Sequence, residues 1–308
     1  MRPHLRIIDT DGSVDTDTLA AAVAWASVTR FDLRDLGPAL RLWSRKKYID
    51  AARARIAAHP WPSVTFLGSG DFHHLAALLI ERAEGPFTVL HFDNHPDWVR
   101  LAPRWHCGSW VNHVLGLPHV QRVVTVGPCS DDLVNPGRKG GNLPALDRGR
   151  LVVFPWQHAP SRARRIADGP GHAWRNGCIH WRNLGERQLE DAVRLVLDAI
   201  PTGTVWITID KDVLPETEAL TNWDQGRMPL ASLMAMLRAV GDCRTILGAD
   251  VCGGYSPPQH ANWLKRAESK FDQPARNVTD LQRIDDNRRT DVELARTLFE
   301  ACLTTATP

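Results

Sequence analysis

The run Val89-Leu-His-Phe-Asp-Asn-His-Pro-Asp97 constrains what this chain can fold into more than any other stretch. Phe87, Val89, Leu90 and Phe92 read as a short strand buried on both faces, and the run ends abruptly in three potential metal ligands, Asp93, His95 and Asp97. Alternation along an extended chain sends those three side chains to one side. Two carboxylates and an imidazole converging at a strand's carboxyl end, where open α/β sheets keep their binding crevices, are costly to bury unless a cation compensates them. A metal site is the economical reading; a solvated turn whose Asp and His side chains merely cap the next element is the bland one.

Two further runs share the grammar. Val205-Trp-Ile-Thr-Ile-Asp-Lys-Asp-Val-Leu214 is a β-branched, aromatic strand that finishes in Asp210 and Asp212 on one face, with Lys211 pointing the other way to pair with a core acid or reach solvent. Val64-Thr-Phe-Leu-Gly-Ser-Gly-Asp-Phe-His-His74 is a strand, a glycine-rich turn, and histidines at the start of an apolar helix, Leu75 to Ile80. Three strand ends thus offer four carboxylates and several imidazoles.

These residues resemble the arginase and agmatinase ureohydrolases. That family carries Gly-Gly-Asp-His, Asp-Ala-His-x-Asp and Ser-x-Asp-x-Asp in this order and holds two manganese ions. Asp93-Asn-His95-Pro-Asp97 looks like the second motif and Thr208-Ile-Asp210-Lys-Asp212 like the third. The first is looser: aligning Leu75 to Ile80 with the family's helix places His73 at the ligand position and His74 just after it. The resemblance covers roughly residues 60 to 255. It implies an arginase-like, three-layer α/β/α fold with a mostly parallel sheet. By the same resemblance one ion takes His73, Asp93, Asp97 and Asp210 and the other His95, Asp93, Asp210 and Asp212, with Asp93 and Asp210 bridging.

The rest of the chain fits an ordinary soluble α/β protein. Its 308 residues, 43% hydrophobic and 23% charged, could make two domains, but strand-like and helix-like segments alternate without a break, so residues 1–308 read as one. A formal net charge of +2 gives no reason to invoke nucleic acid or a membrane surface. No run of eighteen apolar residues or signal-peptide core is seen. Cysteines 107, 129, 178, 243, 252 and 302 show no CxxC or pairing pattern and read as small buried residues without an assigned role, which makes the cytoplasm the default location.

Leu5–Asp11 and Ser27–Leu33 read as strands joined by a helix over Leu19–Ala26, a β-α-β opening that predicts a parallel sheet. Leu42 to Ala58 has helical spacing and a basic, solvated face, and leads through His59-Pro-Trp-Pro into the next strand. Further strands are expected at Val123–Gly127, Leu151–Phe154 and Cys178–Trp181, an irregular loop over 135–149, a helix over Gln188–Ile200, a strand from Thr245, and a final helix over Asp291–Leu303.

The resemblance also implies roles around the pocket. The loop after Asp97 contains His106, matching a family histidine that faces the substrate and relays protons, a task suited to a near-neutral pKa. Asp131 and Asp132 occupy the segment that holds the substrate's distal end. Asp250 is the carboxylate available where the family places a guanidinium-gripping glutamate, although Asp is one methylene shorter. Asp224 reads as a loop residue rather than a ligand. Trp98, Trp105, Trp110, Trp206 and Trp223 flank the motifs and serve either a pocket wall or the core.

An oxygen-rich ligand set suits manganese, two ions per chain, with iron, cobalt or zinc also possible. The implied reaction is hydrolysis of a linear amidine or guanidino C–N bond by metal-activated water, with His106 or Asp97 protonating the departing amine. The implied partner is a small guanidino or formimino substrate, and the family suggests a homo-oligomer. Two rival readings remain. A single-zinc deacetylase of the same fold draws on the His73-His74 pair and Gly253-Gly-Tyr255, against which Asp97 and Asp212 stand. A catalytically silent metal-containing binding protein draws on the altered loops and Asp250.

Overall fold

A computed structural model describes residues 3–56, 63–100, 105–276 and 281–304. The expected passage through His59-Pro-Trp-Pro lies outside them, as do residues 101–104 of the loop before His106. The strands, in chain order, are β1 (His4–Asp9), β2 (Ser27–Asp32), β3 (Ser63–Phe66), β4 (Phe87–Phe92), β5 (Val120–Val126), β6 (Leu151–Phe154), β7 (Ser161–Arg162), β8 (His172–Arg175), β9 (Cys178–Trp181), β10 (Thr204–Asp210) and β11 (Thr245–Cys252). The helices are α1 (Thr16–Ala22), α2 (Gly37–Leu40), α3 (Lys46–Arg55), α4 (Ala76–Ile80), α5 (Trp110–Val114), α6 (Leu143–Asp147), α7 (Leu189–Asp198), α8 (Leu230–Cys243), α9 (Trp263–Asp272) and α10 (Leu281–Thr304).

Eight strands form one sheet in the order β2-β1-β3-β11-β10-β4-β5-β6, every pairing parallel. β7, β9 and β8 make a separate antiparallel sheet, so Cys178–Trp181 is a strand but not part of the main sheet. The crossing from β3 to β4 passes over β11 and β10, and at this reversal of winding the carboxyl ends of four central strands surround one crevice.

Helices cover both sheet faces, giving the three layers. Leu90, Phe92, Ile207 and Ile209 pack with Leu233 and Leu237 of α8 and Leu298 and Phe299 of α10. Phe87, Val89 and Trp206 pack on the opposite side with Ile49 of α3, Leu79 of α4 and Val111 of α5. Every residue of β4 is buried, which is why it reads as a nearly continuous apolar run.

Local differences from the expected elements have local causes. Leu42–Ala58 is not one helix: Leu42 adopts φ 62°, its N–H is donated to the Asp71 carbonyl and its own carbonyl accepts from Cys107 N–H. That segment braces two site loops, and the helix starts afterwards, at Lys46. The first helix runs from Thr16 because Asp15 accepts the Thr18 N–H as an N-cap. The last helix extends back to Leu281, the 135–149 loop includes α6, and α8 and α9 were not anticipated. Lys211 does pair with a core acid, Asp291 of α10, at 2.5 Å.

Candidate metal centre

Side-chain alternation places a polar patch on one face of the central strands, beneath α4 and α5. His91 and Asp93 share the side of Val89; Thr208 and Asp210 share the side of Trp206; Asp250 and Cys252 lie beside them on β11. His73 arrives from a tight turn, Gly70–Leu75, that follows β3. Gly70 is required there, because a Cβ would collide with the Asp210 carboxylate.

The side chains meet in two adjoining groups. His73 Nδ1 lies 3.1 Å from Asp93 Oδ2, 3.3 Å from Asp97 Oδ2 and 3.7 Å from Asp210 Oδ2. His95 Nδ1 lies 2.9 Å from Asp212 Oδ2 and 3.6 Å from Asp93 Oδ1. Asp93 therefore shows one oxygen to each imidazole, the disposition of a bridging carboxylate. Asp97 stands at φ 47°, outside the usual range for a side-chain-bearing residue, and its Oδ2 accepts the Trp110 indole N–H at 2.6 Å. His73, Asp93, Asp97, Asp210 and Asp212 are all buried, and His95 is nearly so.

Two further members join them, His91, which the sequence reading passed over, and Cys252, which it read as a small buried residue without a role. His91 Nε2 is 2.8 Å from Asp93 Oδ2, and its Nδ1 is 3.1 Å from Thr125 Oγ1. Alternation with Asp93 was its available signal. Cys252 places Sγ 3.2 Å from Asp210 Oδ2, opposite Asp210 in the β10–β11 register.

The supporting shell sets the chemistry of His73. Thr208 donates its hydroxyl to Asp250 Oδ1 at 2.7 Å, so toward His73 Nε2, 2.8 Å away, it acts as acceptor. The Nε2 proton is thereby fixed, and Nδ1 turns a lone pair toward three carboxylates with no hydrogen-bond partner of its own. Burial alone would keep His73 neutral, but Cys252, Asp93 and Asp97 outweigh it and push its pKa well above the ordinary value. That pocket demands positive charge, as a proton or as a cation. Burial and then Asp93 raise Asp97 to about 6, burial and Asp93 raise Asp210, and burial with Asp210 and Asp93 raises Asp212 well above the carboxylate range. Asp93 goes the other way: burial is outweighed by the surrounding imidazoles, His91 first and then His73 and His95, so it stays ionised. The donor set and the orphaned Nδ1 fit divalent cations.

On the outer side, His95 Nε2 is 2.9 Å from Asp224 Oδ1, and Asn94 donates to Asp224 Oδ2 at 3.0 Å and, through its backbone N–H, to Asp212 Oδ1 at 3.0 Å. Asp224 is a loop residue, as expected, yet it orients an imidazole of the centre.

Above the centre opens a cavity of ≈ 360 Å³ floored by Asp93, His95, Asp97, Asp210 and Asp212. His106 and Trp223 line it, and Asp131, Asp132, Asp224 and Asp272 stand around it with Lys139, whose ammonium pairs with Asp131. His106 does border the cavity, but both ring nitrogens are engaged. Nδ1 accepts the Gly108 N–H at 2.9 Å, so Nε2 carries the proton and donates to Glu268 Oε1 at 2.8 Å; Trp43 holds the other Glu268 oxygen at 2.7 Å. Glu268, on α9, had no motif to announce it.

Asp250 does not take the expected place. It is fully buried, its two oxygens accept from Trp206 Nε1 and Thr208 Oγ1, both at 2.7 Å, and it does not line the cavity. The strand carries it behind His73, two residues short of the crevice. His74 is also buried, makes no hydrogen bond through either nitrogen, and lies outside the cavity lining, as does Tyr255. Only His73 of the pair joins the candidate ligand groups, so among the described residues the two histidines do not act on one point as a tandem. Among the flanking tryptophans, Trp98 is core, Trp110 and Trp206 hold Asp97 and Asp250, and Trp223 lines the cavity and meets His95 edge-on at 5.6 Å.

No family model matches the chain. An uncharacterized protein of Thermotoga maritima is 27% identical over 255 residues, 83% of this chain and 81% of that one. Among solved structures, proclavaminate amidino hydrolase from Streptomyces clavuligerus aligns with a TM-score of 0.58 at 14% identity, covering 98% of this chain and 92% of that one. Arginase from Medicago truncatula aligns with a TM-score of 0.56 at 15% identity, over 98% and 87%. Formimidoylglutamase from Bacillus subtilis aligns with a TM-score of 0.56 at 13% identity, over 97% and 87%. The structural neighbours across the whole chain are thus arginase, agmatinase and formimidoylglutamase proteins, and the fold is the arginase-like α/β fold. Among the described residues no helix is long and apolar enough to cross a membrane.

Proposed function

We propose that this protein is a two-metal hydrolase of a linear amidine or guanidino C–N bond, releasing urea or a related amide and an amine. The observation that carries the reading is the pair of adjoining imidazole–carboxylate groups, joined through Asp93, at the floor of a cavity on an arginase-like sheet. His73, Asp93, Asp97 and Asp210 would hold one divalent cation and His95, Asp93, Asp210 and Asp212 the other, manganese suiting the carboxylate-rich set. The bound pair would supply an acidified water as nucleophile near neutral pH.

The chain's own groups do the remaining work. Asp224 and Asn94 keep His95 and Asp212 turned toward the floor. Thr208 and Asp250 set the His73 tautomer. Asp97, at the cavity floor beside the site of that water, would receive its proton and return it to the departing amine. His106 borders the cavity as a second proton carrier, its ring held by Glu268. The acidic surroundings, with Lys139 already paired to Asp131, favour a cationic substrate over one bearing a free carboxylate, which places guanidino and formimino compounds with neutral or basic tails first.

The test is metal stoichiometry followed by a urea and ammonia screen. About two manganese per chain with turnover of a guanidino or formimino compound is the expected result. In Asp210→Asn, metal and turnover should disappear together; full metal content in that variant would remove Asp210 as a bridge. A second reading, a metal-containing binding protein without turnover, is favoured by the position of Asp250, which leaves no β11 carboxylate to grip the substrate. Two metals with no product from any compound in the panel would select it.

A further inference from the structure

We infer that Cys252 is a metal ligand, and that its thiolate makes one of the two cation positions selective for a thiophilic ion such as zinc. This rests on the two-cation reading above. The side chain is buried at the end of β11 on the same face as Asp210, and nothing in the ureohydrolase motifs requires a sulfur there.

Three different donor atoms converge at this point. Sγ is 3.2 Å from Asp210 Oδ2, His73 Nδ1 is 3.7 Å from that same oxygen, and all three atoms lie within 4.8 Å of one another. Ligands roughly 2.0–2.3 Å from a tetrahedral ion sit about 3.3–3.7 Å apart, so the two edges that meet at Asp210 Oδ2 have about the length expected between neighbouring ligands. The buried, unpartnered Nδ1 of His73 aims into it independently of the thiol. Asp93 and Asp97 approach the same His73 nitrogen, at 3.1 and 3.3 Å.

The position around His95 differs. Its donors are one imidazole and the carboxylates of Asp93 and Asp212, with no sulfur in the group. A soft donor beside His73 and only hard or borderline donors beside His95 give the two positions different preferences: zinc, or failing that cobalt or iron, in the first, and manganese in the second. When the cation binds, the thiol proton leaves to solvent and the Sγ–H···Asp210 hydrogen bond gives way to two metal–ligand bonds.

The experiment uses the full chain loaded with cobalt as a spectroscopic substitute. The expected result is a near-ultraviolet thiolate-to-cobalt charge-transfer band in the native protein that is lost in Cys252→Ser, while the cobalt bound beside His95 remains. In a mixture of zinc and manganese, the native protein should retain one of each and Cys252→Ser should exchange its zinc for manganese. Cobalt bound without the band overturns the inference and leaves the two-cation reading intact. A band that survives in Cys252→Ser also overturns it, since another thiol would then be the donor. Failure to bind any divalent ion removes the two-cation reading, and the inference with it.

Discussion

Thr208 and Asp250 face each other across the β10–β11 pair, and the Thr208 hydroxyl is donated to Asp250 Oδ1 at 2.7 Å. Because that proton is committed, Thr208 can only accept from His73, and the carboxylate at 250 reaches the candidate metal ligand His73 through two hydrogen bonds. Asp250→Asn leaves the pocket volume unchanged but puts an amide N–H against a donor, so the Thr208 hydroxyl is free to turn. Metal affinity at the His73 position should weaken about 10–100-fold, the usual cost of losing an outer-shell partner. Titration against a fluorescent chelator checks this; unchanged affinity with a raised KM would return Asp250 to the substrate.

His106 is predicted to matter for turnover and not for metal. His106→Ala should keep both ions and lower kcat by about 10²-fold or more, the ordinary contribution of a general acid or base. Glu268→Gln should keep both ions and lower kcat less than His106→Ala does, because an amide oxygen can still accept the Nε2 proton and hold the ring in place. A rate equal to wild type in His106→Ala would end the proton-carrier role.

The acidic rim should act at a distance. Neutralising Asp132 and Asp272 together, as Asp132→Asn and Asp272→Asn, is expected to reduce kcat/KM for a cationic guanidino compound by about three- to tenfold at low salt. Since the charges line a cavity open to solvent, the difference should shrink as ionic strength shortens the Debye length toward about 8 Å. A salt-independent loss would point to direct contact instead.

Stability should carry a signature of Lys265 on α9. Its ammonium is donated to the carbonyls of Ala39 and Arg41, both at 2.7 Å, and burial lowers its pKa to about 8. Below pH 8 the folded and unfolded states are both protonated and the cost of burying the charge is fully present. Between about 8 and the ordinary lysine value of 10.5 the folded state loses its proton first, the unfolded state holds more protons, and this group's contribution to stability rises with pH. The difference in Tm between the native protein and Lys265→Met should therefore grow in favour of the native protein from pH 8 to 10. A difference that is flat or falls across that window would contradict the buried ammonium.

Much of this centre was legible before any coordinates. Val89 to Asp97 and Val205 to Asp212 each announce a buried strand ending in carboxylates, and period-2 alternation orients them without tertiary information. Asp93, His95, Asp97, Asp210 and Asp212 all reach the cavity floor, and His73, not His74, turns toward them. Alternation also carried the unread signal of His91, which shares a face with Asp93.

What the sequence determined by itself was therefore local: which strands are buried, where each one stops, and which ligands stand at its end, because strand periodicity and the cost of burying charge operate over a few residues. The tertiary structure decided what depends on the stagger of strands far apart in the chain. Register placed Asp250 opposite Thr208, behind His73, where a reading by strand end put it in the pocket. Sheet order put Cys252 beside Asp210, and the packing of α9 brought Glu268 to His106 across 162 residues. Those partnerships are made between side chains whose separation along the chain carries no periodic signal, so only the packed sheet and the helices laid across it could disclose them.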